Sequence, residues 1–226
     1  MVGKLIVIDG VDGSGKGTQT QLLLTRMQEE GYKVHLFDFP QYGKKSAGPV
    51  EEYLNGHYGQ AQDVGAYRAS ILFAVDRYDA SHLMKQLLND GVHVICNRYV
   101  TANIGHQGAK INNDYDRTQF IEWLLDLEYN LFAIPKPDVN VILHVPPATA
   151  QKLVDQKQAR SYTTLKRDIH EADLDHLKNA EASYLALHNK DPQTYQLISC
   201  ELNEKLRSIE DISEELWSII KPLLSK

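Results

Sequence analysis

Apolar positions fall into short unbroken runs, separated by longer stretches with a three- to four-residue period. The first run is Leu5, Ile6, Val7 and Ile8. It is too short for a useful helix, and a run with no polar alternation predicts a strand buried on both faces of a parallel sheet. Residues 34–39, 92–96, 139–145 and 195–199 predict four further strands. Helical patterns fill the intervals. Residues 18–27 predict a helix with Leu22, Leu23 and Leu24 as core candidates. Residues 49–54 predict a short helix with Pro49 in its first turn, and 64–89 a long one. Residues 116–127 place Phe120, Trp123, Leu124 and Leu127 on one stripe. Residues 148–157, 174–188 and 209–224 predict the remaining helices. Strands alternating with helices imply an α/β three-layer sandwich, a five-stranded parallel sheet with helices on both faces. Ligands are then expected at the carboxyl ends of the strands. No repeat, low-complexity tract or linker is visible, so residues 1–226 are expected to form one domain.

The segment KLIVIDGVDGSGKGT joins the first strand to the first helix. Gly10, Gly13 and Gly15 punctuate it, and Lys16 completes the spacing G-x-x-x-x-G-K. Glycines let backbone N–H groups converge on one point, and the helix that starts there adds the positive end of its dipole. Lys16 brings a mobile ammonium to the outer phosphates of a nucleotide. Strand, loop and helix in this order make residues Gly10, Val11, Asp12, Gly13, Ser14, Gly15, Lys16, Gly17 and Thr18 a phosphate-binding loop, with ATP the expected ligand. The strict motif has Ser or Thr directly after the Lys. Here Gly17 stands there and Thr18 follows, so a hydroxyl can reach Mg²⁺ directly or through water.

Composition narrows the class without changing this picture. Hydrophobic residues make up 42% and charged residues 24%, ordinary values for a globular domain. No apolar run approaches the roughly 20 residues of a membrane span. The first run is followed by a glycine loop and not by a small-residue cleavage site, so no secretory signal is expected. Cys96 and Cys200 are too few for a disulfide framework and lie in apolar runs, which predicts buried free thiols. A cytoplasmic location is the expectation. The formal charge of −6 argues against general nucleic-acid binding but not against a small anion held by a local basic cluster.

Across nearly the whole chain the sequence resembles the thymidylate kinases. The resemblance rests on IDGVDGSGK, the Phe39-Pro40 pair, ILFAVDRY, the strand-end NRY followed by HQGAK, PKPDVNVILHV, and a basic segment before EASYLAL. It implies a P-loop nucleoside-monophosphate kinase that moves the ATP γ-phosphoryl group to dTMP with Mg²⁺, and it implies a homodimer packed through long helices, 64–89 with 116–127. Such a transfer needs alignment and positive charge more than covalent chemistry.

The resemblance also assigns residues. Phe73 and Arg77 lie four apart on one helix face; the matching pair stacks on thymine and reads its exocyclic oxygen. Arg98 matches the residue that holds the acceptor phosphate, and Asp12 the one that approaches the 3′-hydroxyl. Asn103 and Gln107 match positions lining the thymine. Phe39 and Pro40 belong to the dTMP side, with Lys44 and Lys45 where relatives carry an Arg. Asn97 stands where the family has Asp, which leaves Asp9, with Thr18, as the metal-facing candidates. His106 stands where relatives often carry Tyr, and it fits a surface loop equally well. Gly13 occupies the loop position that in some relatives is a catalytic Arg, so the transferring cations are expected on a lid at about 156–170, with Arg160 first and Arg167 second, near Lys166. The catalytic set is then Lys16, Arg98, Asp12, Arg160 and Arg167. Two alternatives stay open at this point: a deoxynucleoside kinase, which needs a carboxylate base beside a 5′-hydroxyl, and a non-catalytic nucleotide-binding protein.

Overall fold

A computed structural model of the chain describes residues 2–155 and 174–224. The apolar runs form β1 (Leu5–Asp9), β2 (Val34–Asp38), β3 (His93–Asn97), β4 (Val139–His144) and β5 (Tyr195–Ser199). They make one parallel sheet in the order β2-β3-β1-β4-β5. The expected α/β sandwich with a five-stranded parallel sheet is the observed architecture. β1 lies at its centre, where both faces are covered. Ile6 and Ile8 enter a core with Leu23 and Met27 of α1 (Lys16–Glu29). Leu5 and Val7, one residue out of phase, enter the opposite core. Side chains alternate across a strand, so a continuous apolar run fills two cores at once.

Between β2 and β3 lie α2 (Gly48–Leu54) and α3 (Ala61–Asn89). α3 begins before residue 64 and is broken at Gly65, whose φ of 75° and ψ of 170° are not helical. β3 is followed by α4 (Val100–His106) and α5 (Asp114–Asp126), and a π turn, Leu127–Leu131, continues α5. α3, α4 and α5 cover one face, contributing Met84, Ile104 and Phe120 to its core. After β4 come α6 (Pro147–Asp155), α7 (Leu174–Lys190), β5, a two-stranded hairpin of β6 (Glu201–Leu202) and β7 (Lys205–Leu206), and α8 (Ile209–Ile220). The other core is completed by α8 through Leu216 and Trp217.

Several expectations shift. β3 is displaced by one residue, and β2 and β4 end one residue early. α4 was not expected. All seven of its residues are buried, so it has no polar face to give a period. The β6–β7 hairpin was also missed; Asn203 and Glu204 turn it with φ of 51° and 60°. Of the three leucines in α1, Leu23 is buried, Leu24 packs at the core edge and Leu22 is exposed. Three successive helical residues cannot share one face. Cys96 and Cys200 are buried free thiols. Among the described residues no helix is long and apolar enough to cross a membrane.

Two polar contacts tie helices on this side together, one buried and one part-buried. Arg77 of α3 and Glu128 of the π turn are only 2% and 0% exposed. Arg77 Nε donates to both Glu128 oxygens, at 3.0 and 3.2 Å, and Nη2 donates to Oε1. Burial opposes the Arg77 charge, and Glu128 more than offsets it. Lys110, after α4, donates from Nζ to the Tyr53 hydroxyl of α2 at 2.6 Å and lies over its ring. Burial brings the Lys110 pKa down to about 7.

Glu128→Ala would strand a buried guanidinium, and the expected cost is about 3–5 kcal/mol in chemical denaturation; a loss below about 1 kcal/mol would show that the pair carries no such weight. Lys110 sets a pH dependence. From about pH 7 up to the ordinary Lys pKa of 10.5 the unfolded chain holds a proton that the folded chain does not. Stability therefore rises with pH through that window. Lys110→Met removes this slope, so the stability of wild type relative to the variant should grow between about pH 7 and 9. Parallel curves would contradict it.

Candidate active site

The carboxyl ends of β1, β2 and β3 open on one cavity of about 250 Å³. The phosphate-binding loop forms part of its wall. It leaves β1 at Asp9 and enters α1 at Lys16. Gly13 has φ of 89°, and a Cβ there would lie 2.3 Å from the Ala150 carbonyl oxygen. Only glycine lets the loop bend and lie against α6 in this way. Lys16 Nζ donates to the Val11 carbonyl at 3.1 Å and lies 3.4 Å from Asp12 Oδ1. Thr18 is exposed in the first turn of α1.

Arg98 follows β3 with φ of 66°, a left-handed conformation that a non-glycine residue holds only when its surroundings impose it. Those surroundings are charged. Arg98 Nη2 donates to Asp12 Oδ1, and Nη1 lies 3.8 Å from Asp9 Oδ1. Nη1 also pairs with His106 Nε2 at 3.0 Å. A guanidinium only donates, so that nitrogen must be the bare, accepting one. Burial, then the neighbouring Arg98 charge, push the His106 pKa well below its usual 6.5, which keeps the ring neutral. Burial works against the Arg98 charge, but Asp12 and the other neighbours more than compensate.

Asp9 is wholly buried. Its Oδ1 accepts from Gly10 N–H at 2.8 Å and from the Tyr184 hydroxyl at 2.9 Å. Its Oδ2 has no hydrogen-bond partner among the described residues. Burial raises its pKa, against the pull of Arg98, the Gly10 amide, Lys16 and Tyr184. Tyr184 reaches Asp9 from α7 across Gly105, where any Cβ would sit 2.4 Å from its ring. Asp38 ends β2 and opens to the cavity mouth. Burial raises its pKa, against a hydrogen bond from Asn97 and the charges of Arg98 and Lys16.

Part of the cavity wall is aromatic and amide-rich. Phe39, Pro40, Phe73, Arg77, Asn103 and Gln107 all line it, and the Phe39-Pro40 peptide bond is cis. Arg77 is committed to Glu128 through Nε and Nη2, while Nη1 lies 3.4 Å from Asn103 Oδ1. Gln107 Oε1 is buried with no hydrogen-bond partner among the described residues. A planar ligand here meets one aromatic edge and several fixed donors and acceptors.

The structure thus brings Asp12, Lys16, Gly17, Phe39, Pro40, Phe73, Arg77, Arg98, Asn103 and Gln107 to one cavity. It leaves Lys44 outside the wall. That side chain is exposed and donates to Gln41 Oε1 at 2.6 Å, while Gln41 is held by Asp76 of α3. Arg160, Lys166 and Arg167 lie outside the described residues. His106 is a buried cavity residue and not part of a surface loop. Asp38, Tyr42, Tyr99 and Tyr184 were not anticipated. A polar residue at a strand's carboxyl end could have flagged Asp38; nothing local marks Glu128 or Tyr184.

Residues 8–212 match the family model described as thymidylate kinase. A thymidylate kinase of Mycobacterium tuberculosis is 30% identical over 184 residues, covering 81% of this chain and 85% of that one. A probable thymidylate kinase of Thermococcus onnurineus is 30% identical over 230 residues, covering 98% of each. Among solved structures, a thymidylate kinase from Candida albicans superposes with a TM-score of 0.75 at 25% identity, covering 98% of this chain and 92% of that one. With the phosphate loop, the paired strand-end guanidinium and the aromatic pocket in one cavity, these matches show that the chain belongs to the thymidylate kinase family.

Proposed function

We propose that the chain binds ATP on the loop at 10–18 and dTMP across the same cavity. It transfers the γ-phosphoryl group to the phosphate of dTMP, giving dTDP. One observation carries this reading: a single cavity is lined by Lys16 and Arg98 together with Phe73, Arg77, Asn103 and Gln107. The base sits against Phe73, where Arg77 Nη1 and the amides of Asn103 and Gln107 meet its polar edge. Arg98 takes the acceptor phosphate. Asp12 and His106 hold that guanidinium in place before any ligand arrives, so little reorganisation is needed when charge develops. Lys16 moves from the Val11 carbonyl to the outer phosphates of ATP.

The residues present fit Mg²⁺. Among the described residues no group of three or more His, Cys, Asp or Glu side chains is placed to hold a metal ion. Mg²⁺ carried by a nucleotide takes only one or two carboxylates, with water and phosphate oxygens completing its shell. Asp9 offers an unpartnered buried oxygen beside the loop, and Thr18 an exposed hydroxyl at the start of α1. When bound, the cation neutralises charge on the triphosphate oxygens.

A homodimer also belongs to this reading, with its contact on α3, one of the two helices expected for it. Phe120 is fully buried and Trp123 half-buried, and both pack on Tyr67 of their own chain. The exposed stripe is on α3 itself. Tyr67, Ile71, Val75 and Tyr78 recur at helical spacing, each between 41% and 43% exposed. Such a stripe on one long helix suits an isologous contact with a second copy.

Lys16→Ala should lower kcat by about 10³-fold or more with the fold intact. The check is a coupled assay with dTMP, dUMP, thymidine and no acceptor: turnover with dTMP supports the reading, and turnover with thymidine alone would make the chain a nucleoside kinase. Ile71→Asp with Val75→Asp should yield a monomer in light scattering; an unchanged mass would exclude the α3 face.

A further inference from the structure

Three unusual positions of the cavity are neighbours. Gly17 has no hydroxyl where the loop motif places one. Asn97 has no charge where the resemblance places Asp. Asp38 is a carboxylate that neither reading used. β2 and β3 run in register with Asp38 beside Asn97, and Asn97 Nδ2 donates to Asp38 Oδ1 at 2.8 Å. Gly17 faces Asn97: among the described residues, a Cβ there would approach Asn97 Nδ2, at 4.0 Å. All three line the cavity with Lys16 and Arg98.

The other carboxylates nearby are paired or closed off from the cavity. Asp12 pairs with Arg98 and Lys16. Asp9 keeps an unpartnered Oδ2 among the described residues, but it is fully buried and does not line the cavity. Asp38 opens to the cavity, and its described hydrogen bond engages Oδ1. Because Asn97 donates through its nitrogen, its carbonyl Oδ1 is left buried and without a hydrogen-bond partner among the described residues. A hard dication is drawn to oxygen, and a single negative carboxylate beside a triphosphate is enough to anchor it.

We propose that Asp38 is the carboxylate that anchors the divalent cation carried by the triphosphate. It supplies from the end of β2 the charge that Asn97 lacks at the end of β3, and Gly17 leaves room for the ion or its water. The assignment rests on the Mg²⁺-dependent phosphoryl transfer inferred above. In Asp38→Asn the amide oxygen still accepts from Asn97, so strand bracing survives and only the charge goes.

The test uses the full chain and Mn²⁺ as a spin probe. Mn²⁺ binding is read by electron paramagnetic resonance with a non-hydrolysable ATP analogue present, and binding of the analogue alone is read in EDTA. Asp38→Asn should weaken Mn²⁺ binding in the ternary complex by about 10-fold or more, without weakening binding of the metal-free analogue. The exchange Asp38→Asn with Asn97→Asp should recover Mn²⁺ binding to within about threefold of wild type, because it returns one carboxylate to the same pair. Mn²⁺ affinity in Asp38→Asn within about twofold of wild type would overturn the proposal. So would an exchange variant that melts like wild type yet binds Mn²⁺ as weakly as the single variant. If the wild-type chain binds Mn²⁺ with the analogue no better than the analogue does alone, the metal-dependent reading itself falls, and the role of Asp38 with it.

Discussion

The pairing of Arg98 with Asp12 is the constraint on which the site depends. It joins the end of β3 to the loop that follows β1. A guanidinium buried there without partners would be costly. The chain surrounds it with Asp12, Asp9 and a neutral His106, and accepts a left-handed backbone at Arg98 to aim it. Two counter-charges and one lone pair fix it more firmly than one partner would.

The same logic recurs elsewhere in the cavity wall. Arg77 is held by Glu128, and the Asp76 carboxylate beside it in sequence gathers Gln41 and Ser46. Neighbouring residues of α3 thus brace the base pocket and the loop after β2. Arg98 and Arg77 are each held by a carboxylate, Asp12 and Glu128. Lys16 shares the Asp12 carboxylate with Arg98 and also donates to the Val11 backbone carbonyl.

Most of the fold was legible from period alone. The five strands lie within a residue or so of their expected bounds, because parallel strands buried on both faces leave unbroken apolar runs. The same burial hid α4: where every side of a helix is covered, no polar stripe remains to reveal it. The stripe of Phe120 and Trp123 fits a contact between copies and packing within one chain equally well as a pattern, and in the structure it closes on Tyr67 of the same chain. Periodicity shows that a face is apolar and is silent about what covers it.

The sequence by itself determined the phosphate loop, the parallel sheet and the helix face that carries Phe73 and Arg77. These are local facts, set by glycine spacing, apolar runs and the pitch of a helix. Only the tertiary structure decided that Glu128 neutralises Arg77, that His106 accepts from Arg98, and that Asp38 stands beside Asn97. Those partners are 51, 8 and 59 residues apart. The strand order places β3 between β1 and β2, which brings three strand ends and their charges to one cavity. No local pattern encodes that order, because it arises from how two apolar faces of one sheet are covered at once.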